Sequence, residues 1–146
     1  MDPLSSTTAP RQSQIDLALL LIRIAAAIAF LYHGSAILFG AFGGPGPQGF
    51  AAFTHMPLPV AYLVGLAQVA GGVAILTGVF IRVGAVCVMI VMVGAIFLVH
   101  ISHGLDINKG GYEYALTQFL IALALFFAGG GKYSLAGGLP PALRKL

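Results

Sequence analysis

An all-α membrane protein, a bundle of four transmembrane helices forming one domain, is the fold class this sequence predicts, and three observations carry the prediction. Of the 146 residues, 59% are hydrophobic and only 8% are charged, with a mean hydropathy of +0.99, far above the averages of soluble domains. The apolar residues come in continuous runs of about 20, the length that spans a bilayer as a helix. Within those runs they do not alternate with polar residues at every second position, which excludes a transmembrane barrel and leaves helices as the way to satisfy the backbone in lipid. Four such runs consume most of the chain, so no soluble domain is expected.

Residues 1–15 read as a polar, turn-rich tail, and the run behind them is too long and lacks the small-residue cleavage site of a secretory leader. The first helix is predicted over 16–39. Asp16 at its start suits the positive end of the helix dipole, and Arg23, two turns in, is shallow enough to snorkel or to find a carbonyl. Residues 40–58 are dense in glycine and proline and break the pattern. They predict an uncharged loop on the membrane surface, with a short interfacial helix around Gln48 to Thr54. The second helix, 59–80, places Ala61, Gly65, Gln68 and Gly72 on one narrow face, and small residues let helices approach closely in a membrane. It is therefore expected to be the central packing partner. Ile81-Arg82 reads as a tight connection to a third helix over 83–101, and the loop SHGLDINKGG leads to a fourth over 112–128. Gly129-Gly130-Gly131 stops that helix, and 132–146 form a basic tail.

Under this topology Arg11, Arg23, Arg82, Lys132, Arg144 and Lys145 share one side, against Lys109 on the other. The positive-inside rule then puts both termini in the cytoplasm, in a plasma (bacterial inner) membrane. Six basic groups beside an anionic leaflet account for a sequence pI near 9.3, so no nucleic-acid partner is implied. The single cysteine, Cys87, rules out an intrachain disulfide or a Cys-x-x-Cys pair, which argues against a thiol oxidoreductase of the vitamin K type.

All four histidines, His33, His55, His100 and His103, fall toward the opposite, non-cytoplasmic side. Asp106 and Glu113 join them there, with Tyr32, Tyr62, Tyr112 and Tyr114. Three readings fit this group. Interfacial anchoring needs only headgroups, loops and water as partners. A quinone pocket needs a His or Tyr donor for the ring carbonyl, a carboxylate or imidazole for the quinol proton, and an apolar cleft for the tail. His33, His100, Tyr112 and Glu113 supply these. A metal or haem site would use the His100-x-x-His103 spacing, which puts both rings on one face if the helix persists, with a nearby carboxylate. No c-type haem motif is present, and no metal is predicted. Gln68 serves either as an orienting group for a ligand or as an interhelical contact to Thr117 or Gln118.

The order of these features resembles a known family. Arg23, His33-Gly34, Gln68-Val69-Ala70-Gly71-Gly72 and Gly78-Val79-Phe80-Ile81-Arg82 are followed by Gly110-Gly111-Tyr112-Glu113 and by Gly129-Gly130-Gly131-Lys132-Tyr133-Ser134-Leu135. Over residues 17–136 this succession resembles the DoxX family of small four-helix membrane proteins. The resemblance implies a bundle tied to respiratory or oxidative-stress redox chemistry, with members similar to subunits of quinone-linked sulfur oxidoreductases. Many relatives carry an acid where this chain has Gln68, and an aspartate where it has Ala136. A function that needs a buried carboxylate at those two positions is therefore not expected here, and the outer group is the better candidate.

The expectation is a membrane subunit of a redox system that contacts quinone on the outer side and takes electrons from a partner. Glu113 or His100 would move the proton, and His33 and Tyr112 would hold the oxygen. His103 and Gln68 complete the candidate set. The alternative is a non-catalytic structural or anchoring subunit that completes a larger complex, or a homo-oligomer, through its glycine-lined faces. A small-solute transporter is disfavoured, since no internal repeat is visible.

Overall fold

The computed structural model describes residues 8–143 and 146, and no strand occurs among them. Residues 1–7 of the expected tail lie outside the described residues, as do Arg144 and Lys145 of the expected basic side. Helix α1 spans Thr8–Phe39, α2 Gly46–Thr54, α3 Leu58–Thr77, α4 Ile81–Gly94 and α5 Glu113–Ala128. Beyond Gly94 the α4 chain continues as a π-helical turn, Ala95–His100, and a 3-10 turn, Ile101–His103. Three stretches, Arg11–Phe39, Leu58–Thr77 and Ile81–His103, are long and apolar enough to cross a membrane, and α5 is a shorter apolar helix of 16 residues.

Local chemistry sets these bounds. Helix α1 begins two turns ahead of Asp16 because Pro10 falls in its first turn, where a missing N–H costs nothing. Helix α3 ends earlier than the hydropathy suggests. Gly78 takes the left-handed conformation (φ 74°) and donates its N–H to Ala74 O at 2.8 Å, closing the last turn. With Phe80 also left-handed, the chain reverses over Gly78–Phe80, so Ile81-Arg82 is the first turn of α4 and not the connection.

The sorting of side chains is that of a protein dissolved in lipid. Leu21, Ile28, Leu63, Leu66, Ile90 and Leu98 are exposed. The buried faces carry Ala26, Ala27, Gly65, Gly71, Gly72, Ala85 and Ala122, together with Arg23, Gln68 and Gln118. Large aliphatic groups need no protein partner in hydrocarbon, whereas close backbone packing and polar groups do.

Helix α3 packs against α1, α2 and α4, while α5 packs on α4 and touches α1. The expected central helix thus meets three of its neighbours, but α5 is carried by α4. The glycines explain the contacts. A Cβ on Gly65 would lie 3.0 Å from Leu38 Cβ, one on Gly72 3.1 Å from Leu31 Cγ, and one on Gly71 2.5 Å from Val88 Cγ1. Gly65 and Gly72 thus face α1 and Gly71 faces α4, so both glycine faces of α3 are covered at these positions from within the chain.

At the end where α3 and α5 stop, two arginines bind helix-terminal carbonyls. Arg23 is 1% exposed; its Nε donates to Ile75 O at 2.8 Å, its Nη2 to Leu76 O at 2.5 Å and its Nη1 to Gly130 O at 2.7 Å. Ile75 and Leu76 belong to the last turn of α3, whose carbonyls have no intrahelical donor and form the negative end of the dipole. Arg82 Nε donates to Phe126 O of α5 at 3.0 Å in the same way. Leu146 O accepts from the N–H groups of Arg82 (2.7 Å) and Val83 (3.2 Å), capping the start of α4. Asp16 Oδ1 accepts from Lys132 N at 3.1 Å, and the Ser134 hydroxyl donates to Gly78 O at 3.0 Å. Of the two expectations for Arg23, snorkelling or a carbonyl, the structure shows the carbonyls.

Candidate functional site

At the opposite end, where α1 finishes and α5 starts, the helices part around a cavity of about 540 Å³. Helix α1 contributes Phe30, His33 and Ile37, α3 contributes Val64, Ala67 and Gln68, α4 contributes Cys87, Val91 and the π turn to His100, and α5 contributes Tyr114 and Ala115. Helix α2 covers it with Phe50, Phe53 and Thr54. Among the lining residues, Phe53, Leu63, Ile90 and Leu98 are large apolar side chains exposed on the outer surface. The cavity is thus walled by hydrocarbon and reaches the lipid-facing surface at those residues.

Its polar groups are few: His33, Thr54, Gln68, Cys87, His100 and Tyr114. His33 sits with its ring centroid 5.6 Å from that of Tyr114 and 5.4 Å from that of Tyr32, and Tyr32 in turn stacks on Phe42 at 4.9 Å. Phe42 is held in the left-handed region (φ 57°), where a bulky side chain rarely sits, so the stack fixes the turn after α1 against the histidine wall. Gln68 is 4% exposed, and its amide forms no hydrogen bond with any described residue. Its backbone end is clamped. A Cβ on Gly34 would come within 2.9 Å of Gln68 Cβ, so the two helices touch at that level, and Gln68 is one of the residues that line the cavity.

The π turn delivers His100. Six residues, AIFLVH, follow π rather than α spacing, and such turns re-aim the side chains behind them. His100 Nδ1 lies 2.6 Å from Gly110 O. A carbonyl oxygen only accepts, so Nδ1 carries the hydrogen, and in the neutral ring Nε2 holds the lone pair.

The sequence-derived set divides accordingly. His33, Gln68 and His100 line the cavity, whereas Glu113, Tyr112 and His103 do not. Glu113 is exposed at the first position of α5, and its Oε2 accepts from Ile107 N at 3.4 Å. Its carboxylate serves the helix dipole and the loop. Tyr112 is half-buried against the helix core, and its N–H donates to Gly104 O at 3.0 Å. His103 is exposed beside Ser102, its Nδ1 3.5 Å from the hydroxyl. Because π and 3-10 turns replace the α-helix here, His100 and His103 do not share one α-helical face. No group of three His, Cys, Asp or Glu side chains arranged to hold a metal occurs among the described residues.

Tyr114, named in the outer group but not in the candidate set, also lines the cavity. The signal was present, since Tyr114 precedes the buried Gln118 by one turn and so shares its face. Gln118 itself does not meet Gln68. Thr117 gives its hydroxyl to Glu113 O at 2.9 Å, and Gln118 Oε1 is buried with no partner. An orphaned acceptor costs about 1–3 kcal/mol. Gln118→Met, similar in shape, is therefore expected to raise the melting temperature in detergent by a few degrees.

A helix bundle with aliphatic side chains outward, glycines and polar groups inward, and an apolar cavity reaching its surface defines a small integral membrane protein. The DoxX family model matches residues 18–101, more than half of the chain, and the chain belongs to the DoxX family. That match runs from within α1 through the π turn, so every cavity-lining residue outside α5 lies within it. No curated protein matches the chain, and no solved structure does.

Proposed function

We propose that the cavity binds the head group of an isoprenoid quinone, and that the protein is the membrane subunit of a redox system whose electrons come from a partner protein. The observation that supports this most is that His33, Gln68, His100 and Tyr114 all line one largely apolar cavity that reaches the lipid-facing surface. Its volume falls in the range of about 300–1,000 Å³ typical of small-molecule sites. The amide of Gln68, without a partner in the protein, fits a ligand oxygen.

In this reading α1, α3, α4 with its two terminal turns, and α5 all span the membrane. Helix α5, at 1.5 Å per residue about 24 Å long, does so through a locally thinned bilayer. Both termini face the cytoplasm of a bacterial inner membrane, because Arg11, Arg82 and Lys132 gather at the end opposite the cavity. Bound there, a quinone supplies two-electron, two-proton redox chemistry. The chain's own residues bind, orient and move protons. His33 and Tyr114 donate to a ring oxygen, and Phe30, Phe50 and Phe53 exclude water and hold the ring and tail. His100, anchored through Nδ1 to Gly110 O, accepts a proton at Nε2. Of the two groups expected to carry that proton, His100 lines the cavity and Glu113 does not.

Cys87, the chain's single cysteine, lines the same cavity and reports its occupancy. A lipid-soluble maleimide should label Cys87 in purified protein, and decylubiquinone, whose fully substituted ring does not add thiols, should slow labelling at least fivefold. Labelling unaffected by any quinone, with none extractable from the purified protein, would contradict the proposal.

A further inference from the structure

We infer that Gln68 holds the ring oxygen of the ligand in both its oxidation states, whereas His100 engages only the reduced one. The inference rests on the quinone reading above. An oxidised ring presents a carbonyl oxygen, which only accepts a hydrogen bond, and a reduced ring presents a hydroxyl, which must also donate. A carboxylate serves only the second, and an ammonium can donate to either oxygen but cannot accept the hydroxyl hydrogen. A carboxamide carries both an NH₂ donor and a carbonyl acceptor, and its terminal torsion is soft and roughly two-fold, so a half-turn exchanges them.

Gln68 is free to make that half-turn. Its Cβ is fixed against α1 at Gly34, while its amide has no hydrogen bond to a described residue, and the residue as a whole is 4% exposed and lines the cavity. A carboxamide so buried in a membrane protein ordinarily finds a partner across a helix contact, and here the candidates on α5 are turned elsewhere: Thr117 bonds to Glu113 O, and Gln118 Oε1 meets nothing. The remaining partner is whatever fills the cavity. His100 is built differently. Its Nδ1 hydrogen is committed to Gly110 O, so only the acceptor Nε2 is left for a ligand. The two residues thus divide the work, one indifferent to oxidation state and one selective for the hydroxyl form.

The test uses the full chain in nanodiscs and measures protection of Cys87 against a lipid-soluble maleimide by decylubiquinone and, separately, by its quinol. Gln68→Met should weaken both forms by a similar factor, about tenfold. His100→Ala should weaken the quinol alone. If Gln68→Met weakens one form only, or neither, while the wild type is still protected, the role of Gln68 is overturned and the quinone reading stands. If neither form protects the wild type, the quinone reading falls and this inference with it. Gln68→Leu repeats the comparison should the methionine variant fail to accumulate. The wild-type arm needs no variant, since a wild type that binds only one oxidation state also overturns the proposal.

Discussion

Arg23→Leu is expected to abolish accumulation of the folded protein in membranes, or to lower its melting temperature in detergent by well over ten degrees. The guanidinium joins three parts of the chain, α1, the end of α3 and the glycine turn after α5, through the carbonyls of Ile75, Leu76 and Gly130. Hydrogen bonds from a charged donor contribute about 1.5–3 kcal/mol each, and removing the donor leaves the helix-terminal carbonyls buried and unpaired. Allowing for non-additivity, the loss is on the order of 3–5 kcal/mol, a large share of the 5–15 kcal/mol that stabilises a typical domain. Arg23→Lys should recover only a fraction. An ammonium is one point on a flexible stem and cannot present a planar fork to three separate oxygens. Melting curves of the two variants, read with membrane yield, test this. A leucine variant as stable as the wild type would show that the carbonyls find water and that Arg23 is only an orienting charge.

Gly111→Ala is expected to open the loop that anchors His100. An added Cβ would run into the Gly104 carbonyl oxygen and lie 2.6 Å from both Asp106 O and Leu105 C, all backbone, so no rotamer change relieves it. The loop is closed by Gly111 N to Asp106 O (2.9 Å), Tyr112 N to Gly104 O (3.0 Å) and Glu113 N to Leu105 O (3.0 Å). Forcing it apart costs about 2–3 kcal/mol locally and displaces Gly110, the acceptor for His100 Nδ1. Because α5 is held by α4 along its length, the bundle should survive. The expected result is a modest fall in melting temperature, faster amide exchange over 104–113 and loss of quinol binding greater than loss of quinone binding. Unchanged exchange in that segment would mean that the loop relaxes around the methyl group.

Continuous hydrophobicity and glycine spacing made much of the fold legible in the sequence. The face of Ala61, Gly65, Gln68 and Gly72 is buried in α3 as expected, because a stripe of small residues has few uses in lipid other than close packing. The short helix foreseen around Gln48 to Thr54 is α2, Gly46–Thr54. What hydropathy cannot resolve is where backbone conformation changes inside an apolar run. Residues 95–100 read as ordinary helix, yet they form a π turn that passes into a 3-10 turn over Ile101–His103. The reversal at Gly78–Phe80 hides for the same reason, since Val79 and Phe80 are as apolar as the helix before them.

The lining of the cavity was legible in part. His33, Gln68 and His100, which line it, stand out in the sequence because polar groups are scarce in these runs and each needs a reason. Glu113 and Tyr112 were grouped with them by depth alone. Depth places a residue at a level of the bundle but not on a face, and at this level the first turn of α5 turns Tyr114, not its two predecessors, toward His33. Helical phase relative to the buried Gln118 decides which of the three faces inward.

The most direct test of the quinone cavity is photoaffinity mapping with a ring-azido ubiquinone in native membranes, with the cross-linked peptides identified by mass spectrometry. The adducts should fall on the lining residues of α1, α3, α4 and α5, at or next to His33, Gln68, Cys87 and Tyr114, and an excess of unlabelled quinone should suppress them. Adducts confined to the lipid-facing side chains Leu17, Leu21 and Ile28, or to the loop carrying His103 and Glu113, and not suppressed by competitor, would contradict a quinone site in this cavity.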